Sequence, residues 1–111
     1  MDDCLFCKIN QNQIPSDKVY EDDDVIVIKD IAPKAKVHLL VIPKKHIASL
    51  NELLPEDREL MGKIMLLLPE LAKAQGLDSG FRTIINTGKG GGQEVFHIHV
   101  HLLGGSAMPF A

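Results

Sequence analysis

The run Phe96-His97-Ile98-His99-Val100-His101-Leu102-Leu103 places a histidine at every second position, with one apolar residue between each pair. Two is the period of a β-strand. The spacing therefore predicts a strand from Glu94 to Leu103, with His97, His99 and His101 on one face and Ile98, Val100 and Leu102 in a core. Three of the chain's five histidines fall in this run. Imidazole changes charge near neutral pH, and its neutral nitrogen is both a nucleophile and a metal ligand, so the face reads as a place of chemistry rather than a solvated surface.

Working outward, Gly88-Lys89-Gly90-Gly91-Gly92 makes the turn before this strand and Phe81 to Thr87 reads as its partner strand. The glycines are not a phosphate-binding P-loop, because the Gly-Lys-Ser/Thr ending and its helix are missing. Earlier in the chain, Leu60, Ile64, Leu67, Leu68 and Leu71 recur at helical spacing. Ser49-Leu50-Asn51-Glu52 matches a capping box, Pro55 suits a first helical turn, and Gly76 suits a left-handed C-terminal cap. The pattern predicts one main helix to about Gln75, bent by Pro69 near Met65, with Met61 and Met65 as core filler. Lys18-Tyr20, Val25-Lys29 and His38-Ile42 read as strands; Glu21-Asp24 is a hairpin turn and Pro43 closes the third strand. Leu5-Asn10 reads as a short helical turn, ended by Ile14-Pro15. An antiparallel sheet with one principal helix is an α+β fold.

At 111 residues, 45% hydrophobic and 24% charged, the chain has the size and composition of one globular domain, residues 1–111. A net charge of −3 gives no general attraction for nucleic acid or an anionic membrane, so any phosphate recognition must be local. No apolar run is long enough to span a bilayer, and Met1-Asp2-Asp3 lacks the basic opening of a signal peptide, which points to the cytoplasm. There, Cys4 and Cys7 in a CxxC spacing are kept reduced, favouring metal binding or redox chemistry over a disulfide. A thioredoxin-like redox pair would need a preceding strand, for which Cys4 leaves no room; two inert thiols remain the plain alternative.

The HxHxHxx run, the phrases Asp30-Ile31-Ala32-Pro33 and His38-Leu39-Leu40-Val41-Ile42-Pro43-Lys44-Lys45-His46, and the approach Gly91-Gly92-Gln93 together resemble the histidine triad superfamily, in its Hint-type purine nucleoside phosphoramidase branch. The resemblance runs from about Cys4 to Gly105. It implies a five-stranded antiparallel sheet with one main helix and a short N-terminal helix, joined across a homodimer. It also implies hydrolysis of the P–N bond of a purine nucleoside 5'-phosphoramidate through a nucleotidyl-histidine.

By the same resemblance His99, the middle imidazole, is the nucleophile, and His101 contacts the phosphate and assists proton transfer. His97 either supports the site by hydrogen bonding or, in members with a cysteine pair, joins Cys4, Cys7 and His46 around a structural zinc. Asp30 would accept the ribose hydroxyls. Leu5, Phe6, Ile9, Ile28, Ile31 and Leu40 would wall the base pocket, and Asn86, Gln93, Glu94 and Val95 would lie at the phosphate. His38 takes a supporting place near the nucleophile. Glu94 stands where some members carry a serine that touches the leaving group, and Phe110 is the nearest match to a tryptophan that reaches the partner's site. Three other readings stand beside this one: a dinucleoside polyphosphate hydrolase, a nucleotide-binding interaction protein with vestigial catalysis, and a metalloprotein in which His99 itself binds metal.

Overall fold

The computed structural model describes residues 3–107. In chain order they form helix α1 (Leu5–Asn10), strands β1 (Lys18–Glu21), β2 (Val25–Lys29) and β3 (Val37–Pro43), helix α2 (Arg58–Ala74), and strands β4 (Arg82–Ile84) and β5 (Val100–Gly104). All neighbouring strands are antiparallel and form one sheet in the order β1-β2-β3-β5-β4. The architecture is the expected α+β.

Both faces of the sheet are covered. Val25, Val27, Leu39, Val41, Val100 and Leu102 pack on Ile64, Leu67, Leu68, Leu71 and Ala72 of α2. The alternate residues Ile26, Ile28, Leu40 and Ile42 meet Phe6 and Ile9 of α1. Period-two alternation in the strands thus feeds two separate cores, and this is why β2 and β3 are buried almost throughout. His101 lies opposite Leu40 in the β3–β5 register, which puts it on the α1 face.

The histidine run departs from the expected strand. Ladder pairing begins at Val100, not Glu94. β3 ends at Pro43, so the backbone of residues 93–99 finds partners outside the sheet: the Ile98 N–H donates to the Ile47 carbonyl at 2.6 Å. Alternation of sides survives without the ladder. Ile98, Val100 and Leu102 are at most 2% exposed, while the rings of His97 and His99 both meet Phe6.

Other boundaries also differ. The Ser49 hydroxyl accepts the Asn51 N–H at 3.1 Å, but it caps a 3-10 turn, Leu50–Glu52, rather than the main helix. Pro55 drives Leu54 to an extended conformation and opens a second 3-10 turn, Pro55–Asp57, so α2 starts only at Arg58. At the other end Gly76 adopts φ 77°, with its N–H on the Lys73 carbonyl and the Leu77 N–H on that of Ala72, closing the helix as expected. Pro69 lies inside the continuous helix. Met65 is not core filler: it is 43% exposed, beside Leu66 at 74%. β4 has three residues rather than the seven from Phe81 to Thr87. No helix among the described residues is long and apolar enough to cross a membrane.

Candidate active site and metal centre

On the α1 face, α1, the loop after β2 and the approach to β5 enclose a cavity of about 390 Å³. Its apolar end is built by Leu5, Phe6, Ile9, Ile28 and Leu40, with Ile31 at the rim, where it is fully exposed. Asp30, Asn86, Glu94, Val95, His99 and His101 complete the wall among the residues singled out from sequence. Gln93 is absent from it. That side chain is 5% exposed and works as a brace, its amide donating to the Ala48 and Val95 carbonyls while its oxygen accepts the Gly88 N–H. Ile14, Pro15 and Ser16 also line the cavity and were not read from sequence. Ile14-Pro15 looked only like a helix stop, and nothing in the pattern marked Ser16, whose buried hydroxyl has no hydrogen-bond partner.

Hydrogen bonds settle which nitrogen of His38, His97, His99 and His101 carries its proton. The Nδ1–H of His99 donates to the His97 carbonyl at 2.8 Å, leaving the Nε2 lone pair free on a ring that lines the cavity. His38 Nδ1 accepts the Lys34 backbone N–H at 3.0 Å, so its Nε2 carries the hydrogen and donates to His101 Nδ1 at 2.9 Å. His101 consequently presents Nε2–H. Asp30 Oδ2 lies 3.4 Å from the same His38 nitrogen, and its Oδ1 accepts the Ala32 N–H. Asp30, His38 and His101 are close enough to suggest a cation site, but the lone pair His38 would offer is replaced by a hydrogen. The trio is arranged to position a proton.

Burial pushes the pKa of His38, His97 and His99 below the ordinary histidine value. His101 is pushed down to about 4, by burial first and then by the neighbouring His99 and His38. The row is therefore neutral at pH 7, the state a nitrogen nucleophile requires.

His97 faces elsewhere. Its Nε2–H donates to the Pro43 carbonyl at 2.7 Å, which turns the Nδ1 lone pair toward Cys4 Sγ at 3.2 Å, Cys7 Sγ at 3.6 Å and His46 Nδ1 at 3.1 Å. Cys7 Sγ lies 3.5 Å from His46 Nδ1. Tetrahedral bonds of about 2.0–2.3 Å separate neighbouring donors by about 3.3–3.8 Å, so four inward-facing donors at these spacings fit a small cation. The Pro43 carbonyl supplies the outer contact that holds a ligating imidazole in one tautomer. Burial, with the neighbouring Cys4 thiol, pushes the Cys7 thiol up to about 11, so a bound cation must displace that proton.

The chain is similar to known proteins over nearly its whole length. The family model described as scavenger mRNA decapping enzyme C-term binding matches residues 3–111. Protein HitA of Neisseria gonorrhoeae is 58% identical over 104 residues, which cover 94% of this chain and 97% of HitA. An uncharacterized HIT-like protein of Synechococcus elongatus is 49% identical over 107 residues, 96% of this chain and 94% of its own. Among solved structures, a HIT family hydrolase from Legionella pneumophila superposes with a TM-score of 0.94 at 50% identity, covering 97% of each chain. A histidine triad protein from Clostridium difficile gives 0.94 at 44% identity, covering 100% of this chain and 97% of its own.

Proposed function

The chain belongs to the histidine triad superfamily, and on that premise we propose that it hydrolyses the P–N bond of purine nucleoside 5'-phosphoramidates through a nucleotide carried on His99. The observation that carries this reading is the pair of opposed imidazole edges in one cavity: a free lone pair on His99 and an N–H on His101.

In this mechanism the base enters the apolar end and the ribose hydroxyls donate to Asp30. His99 Nε2 attacks the α-phosphorus in line and the P–N bond breaks; the departing amine takes one proton from solvent along the His101 edge, whose Nε2–H stays in place as a hydrogen-bond donor to the phosphate. Water then attacks the phosphorus, one of its protons is released to solvent, and the His99–P bond breaks. The net products are nucleoside monophosphate and amine. His38 keeps His101 Nδ1 occupied throughout, and the His97 carbonyl fixes the ring of His99.

In the same reading Cys4, Cys7, His46 and His97 hold zinc as a closed structural site, which binds the N-terminal turn to the segment carrying the nucleophile. A second copy of the chain joins at the β4 edge to make a homodimer, and the protein acts in the cytoplasm on a small purine nucleotide, without nucleic acid or membrane.

The test is to incubate the protein with adenosine 5'-phosphoramidate and, separately, a diadenosine polyphosphate, then quench in acid and weigh the protein. Turnover of the first and a transient gain of one nucleotidyl group, absent in His99→Ala, are expected. Turnover of the polyphosphate alone would place the enzyme with that rival. Nucleotide binding with no turnover of either would leave an interaction protein.

A further inference from the structure

The catalytic cavity shares a wall with a second, shallower concavity of about 550 Å³, lined by Asp3, Cys4, Leu5, His46, Glu94, Val95 and Phe96. Leu5, Glu94 and Val95 belong to both. Glu94 is therefore placed at the junction, and its position is fixed. Gln93 before it is held by three hydrogen bonds, and Val95 after it packs against the α1-side core. The Glu94 side chain itself is exposed and has no ion pair among the described residues.

Among the described residues the outer concavity is lined by two carboxylates, Asp3 and Glu94, and by no lysine or arginine. Phe96, 49% exposed, offers it an aromatic ring. In the inner cavity the one cation among the described residues is Lys29, which faces Asp17 at 3.7 Å, against Asp30 and Glu94. With the nucleoside in the apolar end and the phosphorus at His99 and His101, the part of a substrate that extends past Glu94 enters a negative field beside an aromatic face. Such a field attracts a cation, which can also sit on the ring, and repels an anion.

We infer that Glu94 selects the charge of the leaving group, so that the substrates of this enzyme are nucleoside phosphoramidates whose amine carries a second, positively charged nitrogen on an apolar chain. The inference rests on the proposed phosphoramidase reading and narrows it. It also gives a reason for that reading over the polyphosphate rival, whose leaving group carries several negative charges past the same carboxylate.

The experiment compares three adenosine phosphoramidates that differ only in the far end of a short alkylamine: ammonium, methyl or carboxylate. kcat/KM is measured for the natural chain and for Glu94→Gln. The expected order for the natural chain is ammonium, then methyl, then carboxylate, with steps of about two- to fivefold, the size of one solvent-exposed charge pair. In Glu94→Gln the steps contract toward one, whatever the absolute rates. Raising the salt compresses the order in the natural chain as well, a check that needs no variant. Equal rates on all three, or an order unchanged in Glu94→Gln, would overturn the role of Glu94 while leaving the phosphoramidase reading intact. Failure to turn over even the methyl compound, with the chain folded, would instead remove the reading on which it rests.

Discussion

Three hydrogen bonds orient the imidazoles of the candidate site, and each ends on an atom that no residue pattern reveals: the carbonyls of His97 and Pro43 and the N–H of Lys34. Replacing His99 by alanine is expected to lower turnover by about three orders of magnitude or more while nucleotide still binds, because the apolar end of the cavity and Asp30 are left in place; single-turnover rates and equilibrium binding separate the two. His101 gives a pH prediction. Its pKa falls from the ordinary value to about 4 on folding, so the unfolded chain binds the proton first. The stability this contributes is complete above the unfolded value of about 6.5 and is lost as pH falls toward 4. The thermal midpoint of the natural chain should therefore fall more between pH 7.5 and 4.5 than that of His101→Gln; equal falls would reject it. At this scale the sequence spacing marked Ile98, Val100 and Leu102 as core and brought His99 and His101 to one cavity, while His97 turns instead to Cys4, Cys7 and His46. It missed that Gln93 is a brace, since a polar residue beside glycines looks the same whether it meets a ligand or two backbone carbonyls.

At the scale of elements, periodicity located the strands and the main helix among the described residues, because alternation and 3.6-residue repeats are set by burial, and the break at Ile14-Pro15 marked the end of the short first helix. Boundaries were less legible. The capping box at Ser49 and the proline at Pro55 were genuine local signals, but they close 3-10 turns, and only the tertiary course of the chain decides where the longer helix begins. Two predictions belong here. A Cβ at Gly104 on β5 would lie 2.7 Å from Leu77 Cδ1, in the core just past α2. Gly104→Ala should cost about 1–3 kcal/mol by overpacking, and adding Leu77→Ala should recover part of the penalty caused by Gly104→Ala, as a double-mutant cycle in thermal denaturation would measure. The four-donor centre joins α1 to the approach of β5, elements 90 residues or more apart in the chain. Chelation or Cys4→Ser should thus lower the thermal midpoint more than it slows single-turnover chemistry; protein purified without chelator and free of zinc by elemental analysis would reject the site.

For the whole molecule, β4 is a short sheet edge flanked by Phe81, an exposed aromatic. A sheet edge presents unpaired backbone groups to which a second copy can pair, and in the proposed reading a second copy covers it. Light scattering should give the mass of two chains, lowered by Phe81→Glu. Phe110, the nearest match to a tryptophan that reaches the partner's site, and nearby Met108 lie outside the described residues. A truncation testing them should end at Ala107, because the Ser106 hydroxyl accepts the Lys36 N–H at 2.7 Å and removing it disturbs the loop before β3. Unchanged selectivity between amines in that shortened chain would exclude the tail from the leaving-group side.

The strand order carries a kinetic consequence. β5 is last of the five in sequence yet lies between β3 and β4, so β4 has no sheet partner until β5 inserts, and β5 is also the strand that brings His101 to His38. Completing the sheet and assembling the proton-positioning pair are one event. On the proposed reading a partly folded chain is therefore expected to be inactive. In refolding from denaturant, recovery of activity should coincide with protection of the β3 and β5 amides from solvent exchange, without an earlier active phase.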